Sequence, residues 1–207
     1  ARYTDLFFTT MENGFVPGGR INSAAGMDLE ATLINCFVQP IGDCVTGFDD
    51  QGRPSIYQAL ADAAETMRRG GGVGYNFSPI RPFGALVKGT MSRASGPLSY
   101  MRIFDRSCET VESAGARRGA QMGILNCDHP DIEAFIHAKD KGEFANFNLS
   151  IGVSDKFMLA VKNQEKWALV HEARPTRAEG EEELGMNEDG KHIYRYVNAI
   201  DLWKDIM

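Results

Sequence analysis

The spacing of apolar positions along this chain switches repeatedly between the period of a strand and that of a helix. Residues 33–38 (LINCFV) form a short apolar run and predict a buried strand. A turn-rich stretch, GFDDQGR over 47–53, follows. Pro54 suits the first turn of a helix. Ile56, Leu60, Ala63, Ala64 and Met67 then recur at helical spacing, with Arg68 and Arg69 at the negative end and Gly70 as the stop. A strand is predicted over 73–77, and Pro79, Pro82 and Gly84 mark a loop. Gly96 and Pro97 open a helix through Leu98, Met101, Phe104, Cys108 and Val111, which Gly115 ends. The pattern continues with a strand at 121–125, a helix over 132–139, a strand at 147–153 and a helix capped by Asp155 that runs to Lys162. Strands at 167–170 and 193–197 precede a last helix from Ala199, capped by Asn198.

This alternation predicts the α/β class with about five mostly parallel strands. The apolar stripe of the last helix (Ile200, Leu202, Trp203, Ile206) has nothing after it to cover it, which reads as a piece of a longer chain. At 207 residues, 43% hydrophobic and 24% charged, the chain can bury a real core and is not a disordered one. A formal charge of −6 speaks against a nucleic-acid coat. No apolar run approaches the ~18 residues of a membrane span, and residues 1–10 lack the basic-then-apolar pattern of a secretory leader. Residues 172–191 hold seven acidic and three basic side chains, so an acidic loop or hairpin tip is expected at about 172–192.

Four cysteines (Cys36, Cys44, Cys108, Cys127) show no Cys-x-x-Cys spacing, which argues against structural zinc and for a reducing, cytoplasmic setting. Cys36, in the middle of a predicted buried strand, is a core thiol or a chemical one. Gly70-Gly71-Gly72-Val73-Gly74 matches neither the P-loop nor the dinucleotide fingerprint, and its helix-to-strand order is the reverse of the Rossmann turn; it is a tight turn or a place where backbone meets a ligand. Ala116-Arg117-Arg118-Gly119, Lys88 and Arg81 are each a solvated loop or an anion contact. Three cationic loops in an acidic chain together suggest an anionic small ligand such as a nucleotide. Asp43 can cap a turn or accept a sugar hydroxyl. The four histidines show no ligand spacing, and His129 reads as a helix-start residue.

Nine segments occur together in one order: 16–21 (VPGGRI), 33–38 (LINCFV), 70–78 (GGGVGYNFS), 80–84 (IRPFG), 87–89 (VKG), 95–99 (SGPLS), 117–122 (RRGAQM), 128–133 (DHPDIE) and 146–150 (NFNLS). In this set the chain resembles the large, catalytic subunit of ribonucleotide reductase. The run 117–139 is similar to the adenosylcobalamin-dependent, class II type. The resemblance implies the first half of a ten-stranded α/β barrel, with residues 1–207 as a partial barrel domain. It also implies reduction of ribonucleotides to deoxyribonucleotides by a thiyl radical.

By that resemblance Cys36 is one of two cysteines that reduce the ribose. Ile21, Asn22, Ser23, Asn35, Gly70, Gly71 and Gly72 approach the substrate. Asp43, Arg81, Lys88, Arg117, Arg118 and Gln121 bind a deoxynucleotide effector. The implied partners are a second copy of the chain, the other half of the barrel, an external dithiol and, for the full enzyme, adenosylcobalamin held mostly by residues elsewhere. No nucleic-acid or membrane partner is implied, nor any metal ligand in this chain. One departure is large. No cysteine lies in an Asn-Pro-Cys-Gly-Glu-like radical motif, since Cys127 sits in LNCD. The 207 residues alone are therefore expected to be inactive. The rival expectation is a non-catalytic, deoxynucleotide-binding split subunit or regulatory module.

Overall fold

The computed structural model describes residues 2–87, 89–111, 119–177 and 184–207. Two helices lead in, α1 (Arg2–Glu12) and α2 (Gly19–Ala24). Strand and helix then alternate: β1 (Cys36–Val38), α3 (Ile56–Arg68), β2 (Gly72–Asn76), a small hairpin of β3 (Leu86–Val87) and β4 (Ser92–Arg93), and α4 (Pro97–Thr110). There follow β5 (Gln121–Asn126), α5 (Ile132–Ile136), β6 (Phe147–Gly152), α6 (Asp155–Asn163), β7 (Lys166–His171), β8 (His192–Asn198) and α7 (Ala199–Ile206). None of the described helices is long and apolar enough to cross a membrane.

β1, β2, β5 and β6 form one open sheet in that order, each pair parallel. This is the expected α/β arrangement, with four parallel strands rather than about five. β7 and β8 stand apart as an antiparallel pair on either side of the acidic stretch. Two helix starts differ from expectation. Ser154, not Asp155, caps α6, its Oγ accepting from the Phe157 amide at 3.2 Å, and Asp155 lies in the first turn where its charge suits the helix dipole. Asn198 makes no capping bond; its side-chain amide donates instead to Asp201.

Side chains alternate across the sheet, so each strand divides its residues between two faces. On one face Val73, Tyr75, Leu125 and Phe147 are buried beneath the helices, with Phe77 just past β2. Phe104 of α4 stands edge-on to Tyr75 and Phe77, with ring centroids 4.9 and 5.6 Å away. Such pairs add about 0.5–1.5 kcal/mol each beyond their burial. Gln121 lies in the same layer: its Nε2 donates to the Phe104 carbonyl at 3.0 Å, and the Tyr75 hydroxyl pairs with its Oε1 at 3.3 Å. The opposite face holds Cys36, Val38, Gly72, Gly74, Met122 and Asn148. It is open to solvent, with Val38 89% exposed. Parallel sheets are ordinarily covered on both faces; among the described residues no element covers this one.

Beyond the carboxyl ends of the strands, the loop 79–83 is gripped by three side chains. His129, in the turn after β5, accepts at Nδ1 from the Asp131 amide (3.0 Å), which leaves Nε2 as the donor to the Ile80 carbonyl (3.0 Å). His171, at the end of β7, repeats the pattern: Nδ1 accepts from Ala173 (2.9 Å) and Nε2 donates to Pro79 (3.2 Å). The Asp131 carboxylate accepts from the Phe83 amide at 2.8 Å. The two rings meet edge to face with centroids 5.4 Å apart.

Two stability predictions follow from this packing. Phe104→Ala removes the ring that closes the aromatic layer and should cost about 3–5 kcal/mol in urea unfolding. Burial holds His129 down to about 3 and His171 to about 4. The unfolded chain therefore takes up protons first as pH falls below about 6.5, and stability drops with it until the folded values are reached. Each histidine contributes at most ~1.4 kcal/mol per pH unit in that window. The stability difference between wild type and His171→Gln should accordingly shrink or reverse between pH 6.5 and pH 4; a difference constant across that range would exclude a neutral His171.

Candidate functional site

Four features converge at the amino-terminal edge of β1 and β2. Cys36 begins β1 on the bare face, and its register partner is Gly72, the first residue of β2. The Gly72 amide donates to the Asn35 carbonyl at 2.7 Å. Behind this edge, Gly70 ends α3 at φ +87° and donates to Met67, while Gly71 donates to Thr66. These bonds form a Schellman cap, which needs the left-handed residue that glycine supplies. The Arg20 guanidinium lies against Gly70, where a Cβ would stand 1.4 Å from Nη2. It donates to the Arg69 carbonyl at 3.3 Å.

Of the four cysteines, Cys36 alone is exposed. Cys44 is half-buried, and Cys108 and Cys127 are buried. Burial raises the Cys44 and Cys108 thiols and pushes Cys127 up to about 11. Cys36 is thus the thiol in a position to meet a solute. It faces a strip of sheet where Gly72 and Gly74 carry no side chain, and a Cβ on Gly74 would meet nothing closer than 3.9 Å.

A second locus forms at the other end of the same strands. Asp43 follows β1 and Arg81 follows β2, and the two meet: Arg81 Nε donates to Asp43 Oδ2 at 2.7 Å, and the Arg81 amide donates to Oδ1 at 3.1 Å. Arg81 also reaches the Leu86 carbonyl at 3.1 Å, which ties it to the β3–β4 hairpin. Burial raises the Asp43 carboxyl despite the pull of Arg81. A cleft of about 830 Å³ opens beside the pair, and its far wall is the root of the β7–β8 hairpin, including His171, Glu172, Arg174 and His192. That volume suits a nucleotide-sized ligand.

The structure therefore gathers Cys36, Asn35, Gly70 and Gly72 at one edge and Asp43 with Arg81 at the other. Ile21, Asn22 and Ser23 directly follow Arg20 on α2; the Asn22 side-chain amide donates to the Pro17 carbonyl and the Ser23 hydroxyl to the Arg20 carbonyl. Gly71 is packed against the Phe37 ring and Thr66, behind the sheet rather than on its bare face. Gln121, expected to bind the effector, is instead 2% exposed and occupied inside the helix–sheet layer. Lys88, Arg117 and Arg118 lie outside the described residues. Gly74, at the end of the glycine run, takes its place on the bare face by strand alternation. Sequence reasoning does not find the His129–His171 pair, whose members are far apart along the chain.

The family model for the ribonucleotide reductase barrel domain matches residues 34–207. A vitamin B12-dependent ribonucleoside-diphosphate reductase of Mycobacterium tuberculosis is 40% identical over 173 residues, covering 82% of this chain and 24% of the relative. The protein of the same description from Thermoplasma acidophilum is 36% identical across 99% of this chain and 24% of its own length. A vitamin B12-dependent ribonucleotide reductase of Streptomyces clavuligerus is 34% identical over 63% of this chain and 16% of its own. The chain spans about a quarter of the length of the first two. With a parallel α/β sheet, one bare face and a match that runs through every strand of that sheet, the chain belongs to the ribonucleotide reductase family, within its barrel domain.

Proposed function

We propose that the protein containing this chain reduces ribonucleotides to deoxyribonucleotides, and that Cys36 supplies one of the two reducing thiols. The observation that carries the reading is the setting of Cys36: the one exposed cysteine, on the bare sheet face, beside a glycine that leaves room for a substrate. The relatives from M. tuberculosis and T. acidophilum are diphosphate reductases by name, which supports ribonucleoside diphosphates as substrates.

The overall chemistry balances as a two-electron reduction. The ribose loses its 2′ hydroxyl as water and gains hydrogen at that carbon, while two thiols become one disulfide that an external dithiol reduces again. A thiyl radical elsewhere in the protein opens the step by taking the 3′ hydrogen and returns it at the end. Adenosylcobalamin, the cofactor suggested by the relatives' dependence on vitamin B12, supplies that radical when bound. Among the described residues no three His, Cys, Asp or Glu side chains gather to hold a metal. We assign none of the described residues to the cofactor.

In this reading Arg20, Ile21, Asn22, Ser23 and Asn35 border the substrate near its ribose, and bare backbone at Gly72 allows close approach, while Gly70 builds the turn behind it. The cleft beside Asp43 and Arg81 takes a deoxynucleotide effector. Asp43 accepts from the sugar, Arg81 and Lys88 meet phosphates, and Arg117 and Arg118 read the base. A dimer of the whole protein completes that site. Binding of deoxynucleotide with no turnover in the intact protein would instead favour a regulatory module.

Two measurements test the proposal in the intact protein. With ribonucleoside diphosphate, adenosylcobalamin and a dithiol, Cys36→Ser should lower deoxynucleotide formation by ~10²-fold or more while nucleotide affinity is retained; a variant that turns over normally would remove Cys36 from the chemistry. Arg81→Ala should weaken deoxynucleotide binding by about tenfold or more in calorimetry, the scale of a lost charged hydrogen bond. Unchanged affinity in Arg81→Ala, with the fold intact by circular dichroism, would move the effector elsewhere.

A further inference from the structure

His129 and His171 have no part in the chemistry described above, yet both reach the loop that carries Arg81. They lie 49 and 92 residues from the carbonyls they hold, Ile80 and Pro79. Each ring is fixed by a backbone amide two residues ahead of it, so each presents Nε2–H to the loop in one orientation. The Asp131 carboxylate takes the Phe83 amide, and Asp43 takes the Arg81 amide and guanidinium. Polar groups of residues 79–81 and 83 are thus each held by a different side chain. Those side chains come from the turns after β1 and β5 and from the end of β7. The Tyr194 hydroxyl of β8 donates to the Ala173 carbonyl at 2.8 Å and braces the turn that orients His171.

We propose that His129 and His171 are positioning residues for the anion-binding cleft: by clamping the carbonyls of Pro79 and Ile80 they set the place of Arg81. The affinity for a deoxynucleoside phosphate then depends on the β5–α5 turn and on the root of the β7–β8 hairpin, as well as on the loop itself. Burial supports the assignment: His129 is 2% and His171 6% exposed, and the Nε2–H of each is already engaged by a loop carbonyl. The ligand chemistry is that of the cleft, a nucleotide phosphate facing a guanidinium, so the inference rests on the effector reading given above.

The two ring nitrogens can be tested separately. Gln places an amide nitrogen near the position of His Nε2 and can still donate to the loop carbonyl. Asn places its oxygen near Nδ1 and keeps the local turn but cannot reach the loop. In the intact protein, His171→Asn should weaken binding of the four common 2′-deoxynucleoside triphosphates by about fivefold to tenfold. It should also speed hydrogen–deuterium exchange in residues 80–86. His171→Gln should restore both. His129→Asn and His129→Gln repeat the comparison at Ile80, should His171→Asn melt below the assay temperature. An Asn variant that binds like wild type, or a Gln variant as weak as the Asn one, would overturn the positioning role. A wild-type protein that binds none of the four nucleotides would overturn the effector reading, and this inference with it, and is recognised before any variant is made.

Discussion

The structure depends on the sealing of one face of a four-stranded parallel sheet by aromatic side chains. Tyr75 and Phe77 of the β2 segment, Phe147 of β6 and Phe104 of α4 form a single layer with no side chain more than 1% exposed. Because strand residues alternate, filling that layer at Val73, Tyr75 and Phe147 sends Gly72, Gly74 and Asn148 to the opposite face. A slip of one residue in β2 would turn Tyr75 out of the layer, and one in β1 would turn Cys36 into it. The same packing that stabilises the domain therefore fixes which groups meet the open side of the sheet. Gln121 belongs to the sealed side for this reason, and its two bonds inside the layer make it part of the seal.

The two candidate loci lie at opposite ends of the same pair of strands. Open α/β sheets usually bind ligands beyond the carboxyl ends of their strands, and the Asp43–Arg81 cleft is there. Cys36 is at the amino end, on the face rather than at the rim, so the thiol would work across the sheet surface. The two loci share rigid connections: β1 runs from Cys36 toward Asp43, and β2 from Gly72 toward Arg81. A ligand phosphate that draws Arg81 from Asp43 leaves a largely buried carboxylate without its partner, and such a group is costly unless another donor replaces it. A sugar hydroxyl is a suitable donor. Sugar and phosphate on one ligand would then satisfy both members of the ion pair at once.

Much of this was legible in the sequence, and the exceptions have physical reasons. The periodic segments that became α3, α4, β5, β6 and α7 were found within a few residues, because each buries a face against its neighbours. Cys36 reads as a core thiol in LINCFV because an apolar run implies cover on both sides, whereas Leu33, Ile34 and Val38 are in fact exposed. Only the family resemblance corrected that reading. Gln121 reads as a surface polar residue because its partners, Tyr75 and Phe104, are distant in sequence. The histidine pair is hidden for the same reason. A hydrogen bond across 92 residues leaves no local pattern, and the ring orientation it needs is fixed by backbone geometry that composition does not encode.

The glycine run shows how one motif can combine several constraints that look alike in sequence. Gly70 is required by the left-handed cap of α3, and Gly71 by the Phe37 ring, to which a Cβ would come within 2.7 Å. Gly72 faces the open side, where a Cβ would meet only the Ala120 carbonyl at 3.3 Å in close contact. Two of the three glycines are thus accounted for by folding alone, and a substitution at either would disturb activity through structure. Gly72 and Gly74 are the positions where the absence of a side chain serves the open face. They stand beside Cys36 and Val38 in register. The motif's alternate residues, Gly72 and Gly74, are the ones strand geometry turns to the open face, and the rest of it builds the turn that presents them.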